Sequence, residues 1–456
     1  VAQPHFFDQG SGAAFAVYEE GLLMLVRRKA SGWFAALAVV AAALALGGEP
    51  ARAQVKPGDF ITAQTAYRVK DLLPPGDYWK VQHGMALKIV PTQRVDWPPP
   101  YKDATEKYAS QVRLAQNNRS MIGYVAGQPF PLIDVNDPHA AVKLIWNNVF
   151  RPITSDDYDL RFFECQDEYA RPGKSQWIVN DTMVGHYAGY ALVGRTEVEP
   201  IPTDPDFKHS GRLWLFGLYP VLAPAAARGA GIIRYRYADP NKGDDSWSYQ
   251  VESRRVRRIN EAILSTATGV GAWNPDHYSG FNPKTEAYNY KLLGEKRMLA
   301  CVHAAHSPEI TCPYDGGASV CPENWEMRNM YVVEAMPRYN IVNTLQGRNV
   351  VYLDSEVWFE PYVDTYDRRG QLFQNFTYWL ADRDRPVPDA RVAIYPFKRE
   401  FVVASNATDI QGAVSSVCYL PSRNSPEREC WYINMGAVDK GFFTPEAMQH
   451  AAQVGM

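Results

Sequence analysis

Cys301, His303, His306, Cys312 and Cys321 place five nitrogen and sulfur donors in one short stretch, enough ligands for a tetrahedral zinc ion. Their spacing fits no standard zinc finger. The six cysteines are even in number, which in an exported chain reads first as disulfides. We therefore expect no metal and no cofactor. Cys418 and Cys430 flank the turn-rich YLPSRNSPERE, of the kind a bridge would close, and Cys165, Cys301, Cys312 and Cys321 allow three pairings. Catalytic constellations are harder to find. The chain has no G-x-S-x-G elbow, no H-E-x-x-H and no glycine-rich phosphate loop. The acid pairs Asp157/Asp159 and Asp382/Asp384 read as solvated caps and turn formers. His186 and His277 could act as bases, but they read as core or surface histidines. An enzyme is not expected.

A second chemistry-bearing group is basic. Arg254, Arg255, Arg257 and Arg258 crowd into SWSYQVESRRVRRIN, in a chain of formal net charge −3. Side chains alternate along a strand, so Ile233, Tyr235 and Tyr237 share one face of RYRYADP, and Trp247, Tyr249 and Val251 share one face of SWSYQVE. With Trp214 and Phe216 upstream, these residues are the candidates for lining a cavity that admits an apolar ligand. Continued alternation puts Arg255 and Arg257 on the Trp247 face and Arg254 and Arg258 on the polar one. Charges that cannot be buried unpaired force the strand out of the core near Ser253. The arginines then form a rim, either deterring edge pairing or meeting a head group or an acidic partner.

These residues need a scaffold, and the period of the apolar pattern gives its class. Lys56 to Pro100 is rich in proline and glycine and reads as a strap, with a short helix at Ile61 to Leu72. Helices are expected over Lys102 to Gln116 and after Asp137-Pro138, the second ending at Arg151-Pro152. From about residue 160 the period is two. Strands are expected at Gln176–Asn180, His186–Val198, Arg212–Val221, Ile232–Ala238, Ser246–Ile259, Met330–Met336, Asn349–Leu353, Val357–Tyr366, Gln371–Trp379 and Ala390–Phe397. Hairpin turns at Asp354-Ser355-Glu356 and Asp367-Arg368-Arg369-Gly370 join some of them. The class is mainly β (α+β), a large antiparallel meander whose apolar face is covered by the two N-terminal helices. Residues 260–305 read as an irregular, aromatic-rich insertion, and Thr444-Pro445 starts a terminal helix.

The N-terminal region reads as a leader. Arg27, Arg28 and Lys29 precede an apolar run from Trp33 to Leu46, and Ala51-Arg52-Ala53 offers a small-x-small cleavage site. The run is shorter than the roughly 20 residues of a membrane span. Residues 1–53 are thus expected to be an over-extended start plus a signal peptide cleaved after Ala53. Residues 54–456 are expected to form one exported, soluble domain. No cysteine follows the cleavage site to carry a lipid, and the near-zero charge offers nothing to a nucleic acid.

DSWSYQVESRRVRRI, RNMYVVEAMPR, NVVYLDSEVWFEPYVDTYDRRGQLF, GYVAGQPFPLIDVNDPHAA and DDYDLRFFEC together resemble the periplasmic family catalogued as domain of unknown function 1329, which is similar to outer-membrane lipoprotein-sorting proteins. The resemblance covers nearly all of the chain after the leader. It implies a Lol-type fold, a curved antiparallel half-barrel with helices plugging its concave apolar face, and a periplasmic carrier of lipid-like cargo. It also implies partners, an outer-membrane barrel protein and a resistance-nodulation-division type exporter. The reading is a carrier for a hydrophobic small molecule or lipid, gripped by the aromatic face and selected by the arginine rim. The alternative is a docking subunit of an envelope export complex.

Overall fold

Alternation of apolar and polar residues, the pattern a pleated strand imposes, governs most of the chain. The computed structural model describes residues 55–154, 156–170, 177–259, 272–278, 280–305, 312–316, 318–340, 344–387, 394–419 and 431–454. The expected leader, His306, Cys430 and residues 390–393 of one expected strand lie outside the described residues. The strands are β1 (Phe60–Ile61), β2 (Leu87–Ile89), β3 (Arg113–Leu114), β4 (Met121–Ile122), β5 (Asp157–Ala170), β6 (Trp177–Ala191), β7 (Arg212–Ala223), β8 (Gly231–Tyr237), β9 (Asp245–Gln250), β10 (Arg255–Ile259), β11 (Tyr288–Ala300), β12 (Glu323–Pro337), β13 (Gln346–Asp354), β14 (Tyr362–Asp367), β15 (Leu372–Arg383), β16 (Arg399–Asp409), β17 (Val414–Tyr419) and β18 (Trp431–Ile433).

Sixteen of them form one open, mixed sheet that does not close into a barrel. Two antiparallel meanders, β5 to β10 and β12 to β17, meet where β17 pairs with β5. β11 pairs with β12, and β2 joins β12 as a parallel neighbour. β10 ends one side of the strand order.

The seam between the meanders carries a covalent link. Cys165 on β5 stands directly opposite Cys418 on β17, and the two form a disulfide with Cα atoms 4.0 Å apart. This corrects the expected Cys418–Cys430 bridge. A cross-strand neighbour brought close by the sheet took the place of a sequence neighbour. Cys312 pairs with Cys321, and Cys301 is a buried thiol.

Two other expectations fail for local reasons. Ser246–Ile259 is a hairpin, not one strand. The turn Val251–Arg254 closes with Arg254 in the left-handed region (φ 53°), and the hairpin shifts the phase of the alternation by one residue. In the resulting register Arg255 faces Gln250, Arg257 faces Ser248 and Arg258 faces Trp247, so it is Arg258 that shares the tryptophan's side. Residues 260–305 are not irregular throughout, because β11 supplies thirteen residues of strand. Gly294 makes a bulge there that shifts the register and hides the alternation. Strands β5, β16 and β17 had no counterpart in the expected set.

The N-terminal helix Pro75–Gln82 lies on β14 and β15. Close approach requires Gly76, where a Cβ would stand 2.4 Å from the Asn375 Cβ. The contact is polar and buried. Gly76 N–H donates to Asp364 at 3.2 Å, Asn375 Nδ2 donates to both Asp77 and Asp364 at 2.9 Å, and Lys80 Nζ donates to Thr377 Oγ1 at 2.7 Å. Thr377 in turn donates to Asp77 at 2.7 Å. Burial pushes the Asp364 carboxyl up to about 7, the hydrogen bond from Asn375 only partly opposing it.

The folded chain therefore holds a proton that the unfolded chain has released above pH ~3.9. This contribution to stability is full below that pH and is lost as pH rises through about 7. The denaturation midpoint should fall between about pH 5 and about pH 7.5, and fall less in Asp364→Asn. Equal slopes for the two proteins would show that this carboxyl does not titrate as described.

Candidate functional site

The β7–β8 register sorts the candidate ligand residues onto opposite faces. Trp214, Phe216, Ile232, Arg234 and Arg236 share one side, because Phe216 stands opposite Arg234 and Trp214 opposite Arg236. Ile233, Tyr235, Tyr237, Trp247 and Tyr249 share the other. The face that reads as polar is in fact buried. Arg234 and Arg236 are 7% and 8% exposed, and both bind Asp244. Arg234 also reaches Asp276 at 2.8 Å, and Arg236 reaches Asn282 at 2.9 Å. The two arginines so fasten the segment around 272–287 onto the sheet.

Beneath that segment the space is almost full. Among the described residues, cavities of about 50, 50 and 60 Å³ lie here, sharing Tyr158, Tyr187, Tyr278 and Arg151 among their linings. Each has room for about a water or two. His277 lies here as well, its ring stacked on Phe376 at 3.9 Å, and burial pushes its pKa down to about 3. It is a neutral core histidine at any ordinary pH.

The opposite, aromatic face is covered by the C-terminal segment and not by the N-terminal helices. Ile233, Tyr249 and Tyr219 pack with Met448 and Ala451 of the helix Pro445–Val454, with Trp247, Val251 and Val256 alongside. The tyrosine tips find partners: Tyr235 donates to the Phe443 carbonyl, Tyr219 to the Phe442 carbonyl and Tyr237 to Asp245 at 2.6 Å. Most of this face is therefore packed core. Arg254, Arg255, Arg257 and Arg258 are exposed on and beside the edge strand β10, with Arg258 paired to Asp245. This position suits the deterrence of edge pairing.

Next to that packed core the same helix roofs a cavity of about 370 Å³. Its walls are apolar: Phe162, Tyr219, Pro220, Leu222, Phe442, Ala447 and Ala451. Its polar contributors are Arg161, His186 and His450. The reason for the opening is local. β5 slips register between Leu160 and Phe163, pushing out Arg161 and Phe162, and Phe162 adopts φ 56°. β6 and β7 slip on either side of Gly185 and skip His186. Bulges bend strands and re-aim side chains, and a bulky residue at positive φ marks local strain. Here the displaced residues are themselves lining residues. Asp159, 2% exposed, holds two of them: Arg161 Nε donates to one carboxylate oxygen at 2.9 Å and His186 Nε2 meets the other.

Of this site the sequence reading had singled out only His186 and Asp159, each for another role. A signal was present. In DYDLRFFEC the apolar positions run 158, 160, 162 and then 163, 165, a change of phase at Phe162-Phe163 that betrays the bulge.

Of the candidate zinc donors, those that are described do not converge. Cys312 and Cys321 are bonded to each other, and His303 hydrogen-bonds Glu326 at 2.9 Å. Among the described residues no group of three or more histidine, cysteine or acidic side chains is arranged to hold a metal. Asp157 accepts two backbone N–H bonds from Gly436 and Ala437, and Asp384 pairs with Arg385. Among the described residues no helix is long and apolar enough to cross a membrane.

Comparison with known proteins places the chain. An uncharacterized protein of Pseudomonas aeruginosa, PA3922, is 23% identical over 332 residues, which are 69% of this chain and 67% of that one. A domain from Vibrio parahaemolyticus, named as a candidate outer membrane lipoprotein-sorting protein, aligns at 15% identity and TM-score 0.45, over 69% of this chain and all of that one. A family member from Desulfovibrio piger aligns at 15% identity and TM-score 0.39, over 65% and 92%. The family model described as "protein of unknown function (DUF1329)" matches residues 60–449, and the chain belongs to that family.

Proposed function

We propose that the protein binds and carries a hydrophobic, lipid-like ligand in the cavity under the C-terminal helix. The observation that carries this reading is the size and lining of that cavity: about 370 Å³ of apolar wall where three neighbouring strands all break register. Ligand sites are typically hollows of about 300–1,000 Å³, mostly apolar, with few polar groups. The space holds roughly a dozen water-sized groups. An apolar tail of about ten methylenes, at about 0.8 kcal/mol each, would gain roughly 8 kcal/mol, the scale of a micromolar complex.

In a cell envelope such a protein would serve as a periplasmic shuttle, taking its ligand from a resistance-nodulation-division type exporter or handing it to an outer-membrane barrel protein. An aromatic pocket needs no catalytic group to do this, and we propose a carrier in place of an enzyme.

The test is native mass spectrometry of the purified protein, followed by titration with a fluorescent fatty probe. Ala447 lines the cavity from the helix. The native protein should take up one equivalent, and Ala447→Trp, filling the space, should bind at least about tenfold more weakly with an unchanged circular dichroism spectrum. A native protein that carries nothing and refuses the probe would discard the carrier and leave a docking subunit.

A further inference from the structure

We infer that the ligand is a single-chain amphiphile with an anionic head, and that Arg161 is the residue that reads the head. The inference rests on the carrier reading above and concerns the same cavity. The polar side chains at the cavity are all nitrogen bases, Arg161, His186 and His450, and no acidic side chain is among its lining residues. They come from both sides of the opening, Arg161 and His186 from the sheet and His450 from the C-terminal helix.

Arg161 is held in place before any ligand arrives. Its Nε donates to Asp159 at 2.9 Å, and its guanidinium lies over the Tyr432 ring at 5.4 Å. Its side chain remains 43% exposed while Asp159 is buried. Asp159 lies behind the arginine, where it sets the direction of the guanidinium without itself lining the cavity. A permanent cation fixed at the mouth of an apolar hollow matches a molecule with a negative head and one tail. Carboxylates and phosphates both suit a planar guanidinium, which binds either through paired N–H donors. The displaced backbone at Arg161 and Phe162 gives this a structural basis: the same bulge sends the arginine to the rim and opens the wall beside it.

The test compares three ligands of one tail length, dodecanoate, dodecyl phosphate and dodecanol, by isothermal titration against the full chain. The native protein should prefer at least one of the anions to the alcohol by about tenfold, as expected for a charge-assisted hydrogen bond. Which anion wins names the head. Arg161→Gln should bring the anion affinities down to near that of dodecanol, and Arg161→Lys should keep part of the preference. His450→Gln, on the exposed face of the helix, should weaken the anions by a smaller factor. Equal affinities for all three ligands in the native protein overturn the anionic head but leave the carrier standing. Loss of dodecanol together with the anions in Arg161→Gln makes the residue structural and overturns its role. Failure of every ligand to bind the native protein overturns both readings.

Discussion

Replacing Cys165 and Cys418 together by alanine is expected to lower the unfolding free energy by about 5–6 kcal/mol. The bridge joins residues 253 apart, and the chain-entropy gain from a crosslink grows with the loop that it closes. It also sits at the one pairing that unites the two meanders. Removing Cys312 and Cys321, 9 apart in sequence, should cost only about 3 kcal/mol on the same reckoning. Guanidinium titrations of the two double variants decide the matter. The seam variant should also unfold with a larger slope, since its denatured state is no longer tied. If the short-loop variant proved the more damaged, the seam would be held by its hydrogen bonds and packing, and the bridge would be incidental.

The second large effect concerns the buried arginines. Asp244 accepts from Arg234 Nε at 2.6 Å and from Arg236 Nη2 at 2.9 Å, with no exposed side-chain surface of its own. Burial alone would raise its carboxyl pKa, but Arg236 and Arg234 outweigh it and hold the group at about 2. Asp244→Asn leaves two guanidiniums in the interior with their shared anion gone, and breaking a buried pair in this way costs about 3–5 kcal/mol. Because these arginines also grip Asp276 and Asn282, the inner segment should loosen, visible as faster amide exchange at Trp273 to Asn282.

The pH dependence has the opposite sign to that of Asp364. A depressed carboxyl stabilises above the unfolded value of about 3.9 and loses that contribution as pH falls through about 2. The asparagine variant should lack this acid limb. An unchanged limb, or a loss below about 1 kcal/mol, would show that the pair is solvated.

Why some of this was legible and some not follows from what each pattern encodes. β7, β8, β13 and β15 were visible because apolar and polar residues alternate where two environments differ. Helix Ala140–Val149 was visible between Asp137-Pro138 and Arg151-Pro152, but it begins later than expected: His139 is its N-cap, no side chain caps it, and the Asp137 carboxylate accepts the His139 N–H at 2.8 Å ahead of the first turn. Polarity alone misassigned the faces. Arg234 and Arg236 looked like a solvent side, yet acids outside the strand, Asp244 in the following turn and Asp276 much further along, neutralise them inside. With both faces covered, alternation reports a change of partner and not a boundary with water. The Val251–Arg254 turn holds no glycine or proline to mark it, so the two strands that it joins passed as one. The Cys165–Cys418 pairing depended on which strands become neighbours, which no local pattern states. The cavity was legible only as the change of phase at Phe162-Phe163, and nothing in the strand itself says that a terminal helix will roof it.

The seam also sets an order of events. A chain emerging from the ribosome completes β5 more than two hundred residues before β17 exists to pair with it. Helix Pro75–Gln82 waits longer still for Asn375, 298 residues beyond Asp77. Contacts of such separation close slowly, and until they close β5 presents a bare edge and the Cys165 thiol has no mate. A nascent chain stopped before Val414 lacks the strand that joins its halves. The two meanders are therefore joined only when synthesis is nearly finished, and an early disulfide within the first meander is ruled out because its strands hold one cysteine.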